Sequence, residues 1–126
     1  MNQDKRSTQN LKETIDIHLD SNVNGGFLDK LHNHYTELAP SKYYNQNVIE
    51  VENHHTRKRY SIRGEETMDV PKRKFLKYVI EDGSTIQIEY HESSNTMTII
   101  IDVYGETVEN ILDKSIEIRT KLIEAI

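Results

Sequence analysis

The stretch MTIIIDVYGETVENILDKSIEIRTKLIEAI, Met97 to Ile126, decides the architecture. Met97, Ile99, Ile101 and Val103 alternate with Thr98, Ile100, Asp102 and Tyr104, the two-residue period of a pleated strand with one buried face. After Gly105 the period changes. At about 100° per residue, Val108, Ile111, Leu112, Ile116, Ile118, Leu122, Ile123 and Ile126 gather on one half of a cylinder. Glu106, Glu109, Asp113, Glu117, Thr120, Lys121 and Glu124 fill the other half. The stretch therefore predicts a strand running directly into a long helix, and a helix with that much aliphatic surface needs a sheet to lie on.

Working back from it, Asp82-Gly83 reads as a two-residue hairpin turn with positive φ at both centres, between Arg73–Glu81 and Ser84–Glu92. That register sets Val79 opposite Ile86, Lys77 opposite Ile88 and Phe75 opposite Tyr90. A second turn centred on Ser94-Asn95 sets Tyr90 opposite Ile99, Ile88 opposite Ile101 and Ile86 opposite Val103. Both turns place Ile86, Ile88 and Tyr90 on one face. The other face then carries Leu76, Tyr78, Ile80, Gln87, Glu89, His91, Ile100, Asp102 and Tyr104, a mixture typical of contact surfaces.

Further upstream, Val48–Asn53 and Lys58–Arg63 form two strands joined by His54-His55-Thr56-Arg57, with Val51 opposite Tyr60, Ile49 opposite Ile62 and Glu52 opposite Arg59. Gly64–Lys72, with Pro71, reads as a connection that includes at most a short edge strand. Thr14–Asp20 alternates as a first strand with Ile15, Ile17 and Leu19 inward. The turn formers at 22–26 open a short helix with Phe27, Leu28, Leu31, Tyr35 and Leu38 on one face, ended by Pro40. Residues 1–12 are polar and read as a mobile tail, leaving 13–126 as a single domain.

The expected fold is α+β: a curved antiparallel sheet of five to six strands, with a short N-terminal helix and a long C-terminal helix packed on one face. The order strand, helix, meander, helix resembles two known architectures. In the helix-grip fold, sheet and helix enclose a ligand cavity, and in the TATA-binding-protein-like half-saddle the free sheet face meets DNA. The likeness is one of element order, so it carries no function across.

Charge is divided unevenly along the 126 residues and net −5. Residues 1–40 hold 4 basic and 6 acidic side chains, 41–78 hold 9 and 5, and 79–126 hold 3 and 10. One part of the fold should be basic and another strongly acidic. There is no Cys, hence no disulfide framework and no thiolate chemistry, and no apolar leader or membrane-length run. A cytoplasmic protein is the expectation.

No phosphate loop, glycine-rich dinucleotide turn, nucleophile elbow or HExxH motif occurs, so no catalytic residue, cofactor or enzymatic activity is expected. The six histidines lack ligand spacing. His32-x-His34 would point apart on a helix and His54-His55 to opposite faces of a strand, so no metal site is expected. Two candidate surfaces remain. Arg57, Lys58, Arg59, Tyr60, Arg73, Lys74, Lys77 and Tyr78 interleave cations with aromatic rings, as phosphate contacts and base stacking require. Ile116, Ile118, Arg119 and Ile123 of the closing helix, with Tyr104, present aliphatic surface beyond what one sheet face needs. The leading expectation is a non-enzymatic interaction protein that docks a protein partner or a second copy of itself as a homodimer. A nucleic-acid binder using residues 54–77 and a helix-grip-like carrier of a small apolar ligand are the alternatives.

Overall fold

The structure is a computed structural model that describes residues 9–18 and 42–125, with side chains as far as Leu122. Its strands are β1 (Gln9–His18), β2 (Lys42–Tyr43), β3 (Gln46–Asn53), β4 (Lys58–Ser61), β5 (Gly64–Thr67), β6 (Phe75–Ile80), β7 (Thr85–His91) and β8 (Thr96–Gly105), followed by helix α1 (Val108–Ala125). Seven strands run in the order β1-β8-β7-β6-β3-β4-β5, all neighbours antiparallel, and β2 pairs with β3 alone.

This corrects the expected sheet of five to six strands with two helices. Among the described residues there are eight strands and one helix, because the sheet gains β2 and β5 and draws β1 onto the far side of β8. The short helix read over Phe27–Leu38 lies outside the described residues. β1 starts at Gln9, so residues 9–12 of the stretch read as a tail are strand, paired with Asp102 to Gly105.

The hairpin β6–β7 also differs. Its loop has three residues, Glu81-Asp82-Gly83, closed by the Ile80 N–H donating to Ser84 O at 2.8 Å, with only Gly83 at positive φ (+91°). A turn followed by one left-handed residue is the usual three-residue solution. Relative to a two-residue turn it slips β6 by one place: Leu76 faces Ile88, Tyr78 faces Ile86 and Val79 faces Thr85. Leu76, Tyr78 and Ile80, read as outer-face residues, are therefore core, while Lys77 and Val79 turn outward. The β7–β8 turn shifts by two places, to Ile88 opposite Ile99 and Ile86 opposite Ile101, and an even shift leaves every side chain on its expected face. The β3–β4 register is as read for Val51 opposite Tyr60 and Glu52 opposite Arg59, but the ladder ends at Glu50 opposite Ser61: β4 stops short of Arg63, and Ile62, read opposite Ile49, lies unpaired in the β4–β5 turn. There Asn53 Oδ1 accepts the N–H groups of His55 (3.0 Å) and Thr56 (3.2 Å), which caps the turn.

One row across the sheet shows the division of faces. Glu13, Ile101, Ile86, Tyr78, Val51, Tyr60 and Glu65 run along the inner face, an apolar band with a carboxylate at each edge strand. The adjacent outer row is Thr14, Ile100, Gln87, Lys77, Glu52, Arg59 and Glu66, whose last four charges alternate in sign. α1 lies on the inner face against β8, β1 and β2, with Ile111, Ile118 and Leu122 in the core beside Ile99, Ile101 and Val103. Thr107 caps it, its Oγ1 accepting the Asn110 N–H at 3.0 Å. At Gly105, between β8 and α1, an added Cβ would come 2.5 Å from Asn110 Oδ1 and 2.9 Å from Ile111 Cγ1, so a larger residue there would have to push both helix side chains aside.

Candidate docking interface

α1 is held on both flanks by polar contacts. On the side away from β1, Lys114 Nζ donates to Asp82 Oδ2 and to Tyr104 O, both at 2.9 Å, and lies 5.0 Å from the centre of the Tyr44 ring. The Tyr44 N–H donates to Glu117 Oε2, and Lys121 Nζ donates to Lys42 O at 3.2 Å. These contacts clamp the β2–β3 hairpin, whose turn residues Tyr44 and Asn45 both have positive φ, beneath the helix. On the β1 side, Ser115 Oγ donates to Glu13 Oε1, and Arg119 Nη1 stands 3.5 Å from Glu13 Oε2.

The seat fixes which margin of the helix is left over. Val108, Leu112 and Ile116 follow one another at four-residue intervals on the β1 side of the cylinder, next to Arg119, and are 62, 46 and 51% exposed. β1 is the last strand on that side among the described residues, so this apolar stripe overhangs the sheet edge. Edge and stripe together form a ledge. The remaining exposed large apolar residues among those described are Ile49, at the β3 irregularity, and Ile62, at the tip of the β4–β5 turn. They border an open depression of about 360 Å³ together with Val48, Val51 and Tyr60.

The cluster at the other flank is built for holding. Burial pushes the Asp82 carboxyl up, but the Lys114 ammonium and the Ser84 N–H outweigh it, and the acid sits below its ordinary range. Tyr44 is pushed far up, first by burial, with the carboxylates of Asp82 and Glu117 adding to it against a Ser84 hydrogen bond. A carboxylate held ionised, an ammonium facing it and a phenol held neutral make a charge-paired clamp with no activated nucleophile or base. A depression of about 280 Å³ beside it is lined by Gln46, Asp82, Glu106, Asn110 and Lys114.

The basic and aromatic residues singled out in sequence do not share one surface. Arg59 stands between Glu52 and Glu66, and Lys77 is opposite Glu52, all on the outer face. Lys58 Nζ is 2.9 Å from Glu65, Arg73 Nη1 is 2.9 Å from Glu89 and 4.3 Å above Phe75, and Lys74 Nζ is 3.6 Å from Glu92. Arg57 occupies the β3–β4 turn at φ +60° and borders a depression of about 590 Å³ with Met68, Val70 and Pro71. Tyr60 and Tyr78 point to the inner face, and Tyr78 is only 1% exposed, so it offers no open ring for stacking.

Of the helix residues singled out, Ile116 is on the exposed stripe and Arg119 is tied to Glu13 at its border. Ile118 is wholly buried, because its side of the cylinder faces the sheet. The Ile123 side chain lies outside the described residues. Tyr104 is at the end of β8 on the face opposite α1, with its N–H donating to Ser84 Oγ at 3.1 Å. Sequence reasoning missed Val108, Leu112 and the edge of β1, although the spacing 108, 112, 116 carried a signal. It also missed the Asp82–Lys114 clamp, whose partners are 32 residues apart. Among the described residues no group of three or more His, Asp or Glu side chains could hold a metal, and no helix is long and apolar enough to cross a membrane. Comparison with protein-family models finds no match, and comparison with curated proteins finds no similar sequence.

Proposed function

We propose that this is a small, non-enzymatic cytoplasmic protein that works by docking against another protein through the ledge where α1 overhangs β1. The observation that carries the reading is the exposure of Val108, Leu112 and Ile116 along one line of the helix, beside a sheet edge without a partner strand among the described residues. Contiguous aliphatic surface of this kind is costly to leave in water and marks contact sites. An amphipathic helix margin next to an open strand supports two modes of recognition at once, side-chain packing and main-chain pairing. The cations of residues 57–77 favour docking over phosphate binding, since those with a carboxylate one strand away release little counterion on meeting a phosphate.

The test is a comparison of the parent with a Leu112→Glu/Ile116→Glu variant in cell extract, by cross-linking and native mass. Both substitutions fall on exposed positions, so the unfolding transition should be unchanged. The parent should be recovered in a complex, with its own copy or another chain, that the variant has lost. Recovery of the same complex by both proteins would sink the reading.

A further inference from the structure

We propose that the partner at this ledge is a second copy of the chain, added strand to strand along β1 with a two-fold axis through Thr14. The proposal rests on the docking reading and names its occupant. Antiparallel pairing of β1 with its own copy about Thr14 sets each residue opposite the one that completes a sum of 28, so chemistry on one half of the strand must match the other half. It does. On the outer face, Lys12 meets the partner's Asp16 and Asp16 meets the partner's Lys12, with Thr14 on the axis. On the inner face, Leu11 meets the partner's Ile17 on both sides of the axis, and Glu13, whose carboxylate is held by Ser115 and Arg119 of its own helix, meets the partner's Ile15. Lys12 already stands opposite Asp102 within its own sheet, so the joined sheets carry a row of Asp102, Lys12 and the partner's Asp16 in alternating sign.

Other registers that keep the inner faces together are worse. Moving the axis to Glu13 puts that carboxylate against its own copy, and moving it to Ile15 sets Lys12 against His18 with no charge paired. Lys12, Thr14 and Asp16 are exposed, as the pairing requires, and β1, ten residues long, is an edge strand among the described residues, of a length that proteins otherwise blunt or cover.

The helices support the same arrangement. An axis perpendicular to the joined sheet leaves both copies of α1 on one face, with the two stripes toward each other. With strands ~4.8 Å apart and the axis half a spacing beyond β1, a helix seated over β1 and β8 lies about one to one and a half spacings from the axis, so the two helices stand ~10–15 Å apart. Packed helices approach to about 8–10 Å, which leaves Leu112 and Ile116 to fill the gap.

Sedimentation of the purified full chain tests this. The parent should have the mass of a dimer at micromolar concentration. Lys12→Asp alone creates two Asp–Asp pairs across the axis and Asp16→Lys alone two Lys–Lys pairs, and each should weaken association roughly tenfold or more. An equimolar mixture of the two single variants restores opposite charge at both positions and should form a mixed dimer, as should the double variant with itself. Rescue on mixing excludes misfolding as the cause, since neither chain has changed. A monomeric parent at high micromolar concentration overturns the second copy, and so does a dimer that both single variants leave intact. If the pure parent is monomeric while capture of a different protein still depends on Leu112 and Ile116, docking at the ledge stands and this occupant is wrong.

Discussion

Lys114 Nζ lies 2.9 Å from Asp82 Oδ2, with each side chain only 14% exposed, and the pair fastens α1 to the β6–β7 hairpin. Removing one partner leaves the other charge partly buried and alone, which costs more than the pair itself contributes. Lys114→Met should lower stability by about 1–3 kcal/mol in denaturant unfolding. The pH dependence follows from the depressed acid. Because the folded pKa of Asp82 is below its ordinary 3.8, its contribution is complete above that value and is lost as pH falls through the lower folded pKa. The acid limb of the stability profile should flatten in Lys114→Met, and a limb of unchanged steepness would show that the pair is not coupled to folding.

Gly83 has φ of +91°, and an added Cβ would meet nothing closer than Tyr104 Cδ2 at 4.0 Å. Space is therefore not the obstacle, and the backbone conformation is. Gly83→Val should cost about 1–3 kcal/mol, and Gly83→Ala somewhat less, measured by thermal unfolding. Unchanged stability in both would mean that the hairpin turns elsewhere.

Ile116 and Ile118 are two residues apart, one half exposed and one wholly buried. Truncation to alanine should separate them: about 2–5 kcal/mol for Ile118, within about 0.5 kcal/mol for Ile116 in the monomer. Reversal of that order would place the other margin of the helix on the sheet.

Glu52 is the centre of the outer charge row, between Lys77 and Arg59, and its Oε1 is 3.3 Å from His54 Nε2. Glu52→Lys puts three cations side by side on neighbouring strands. A loss near 1 kcal/mol is expected at low ionic strength, shrinking as salt is added because the Debye length contracts. A loss independent of salt would point to packing instead.

Periodicity alone determined much of this molecule. The change from a period of two to 3.6 at Gly105 defines β8 and α1, and alternation assigns the inner faces of β1, β7 and β8 without reference to any partner. The β3–β4 register was equally legible, since one four-residue loop satisfies Val51 with Tyr60 and Glu52 with Arg59 together. Tertiary structure decided what local pattern leaves degenerate. Asp82-Gly83 suits a two-residue or a three-residue loop, and β6, apolar at Phe75, Leu76, Tyr78, Val79 and Ile80, could present either face. Packing chose Leu76, Tyr78 and Ile80 for the core. The half-cylinder of α1 is likewise wider than its seat. Only the contacts to Glu13 on one side and to Asp82 on the other select Val108, Leu112 and Ile116 for exposure. Those contacts join residues far apart in the chain, so no window of sequence contains them, and the candidate ledge exists only once the helix is laid against β1.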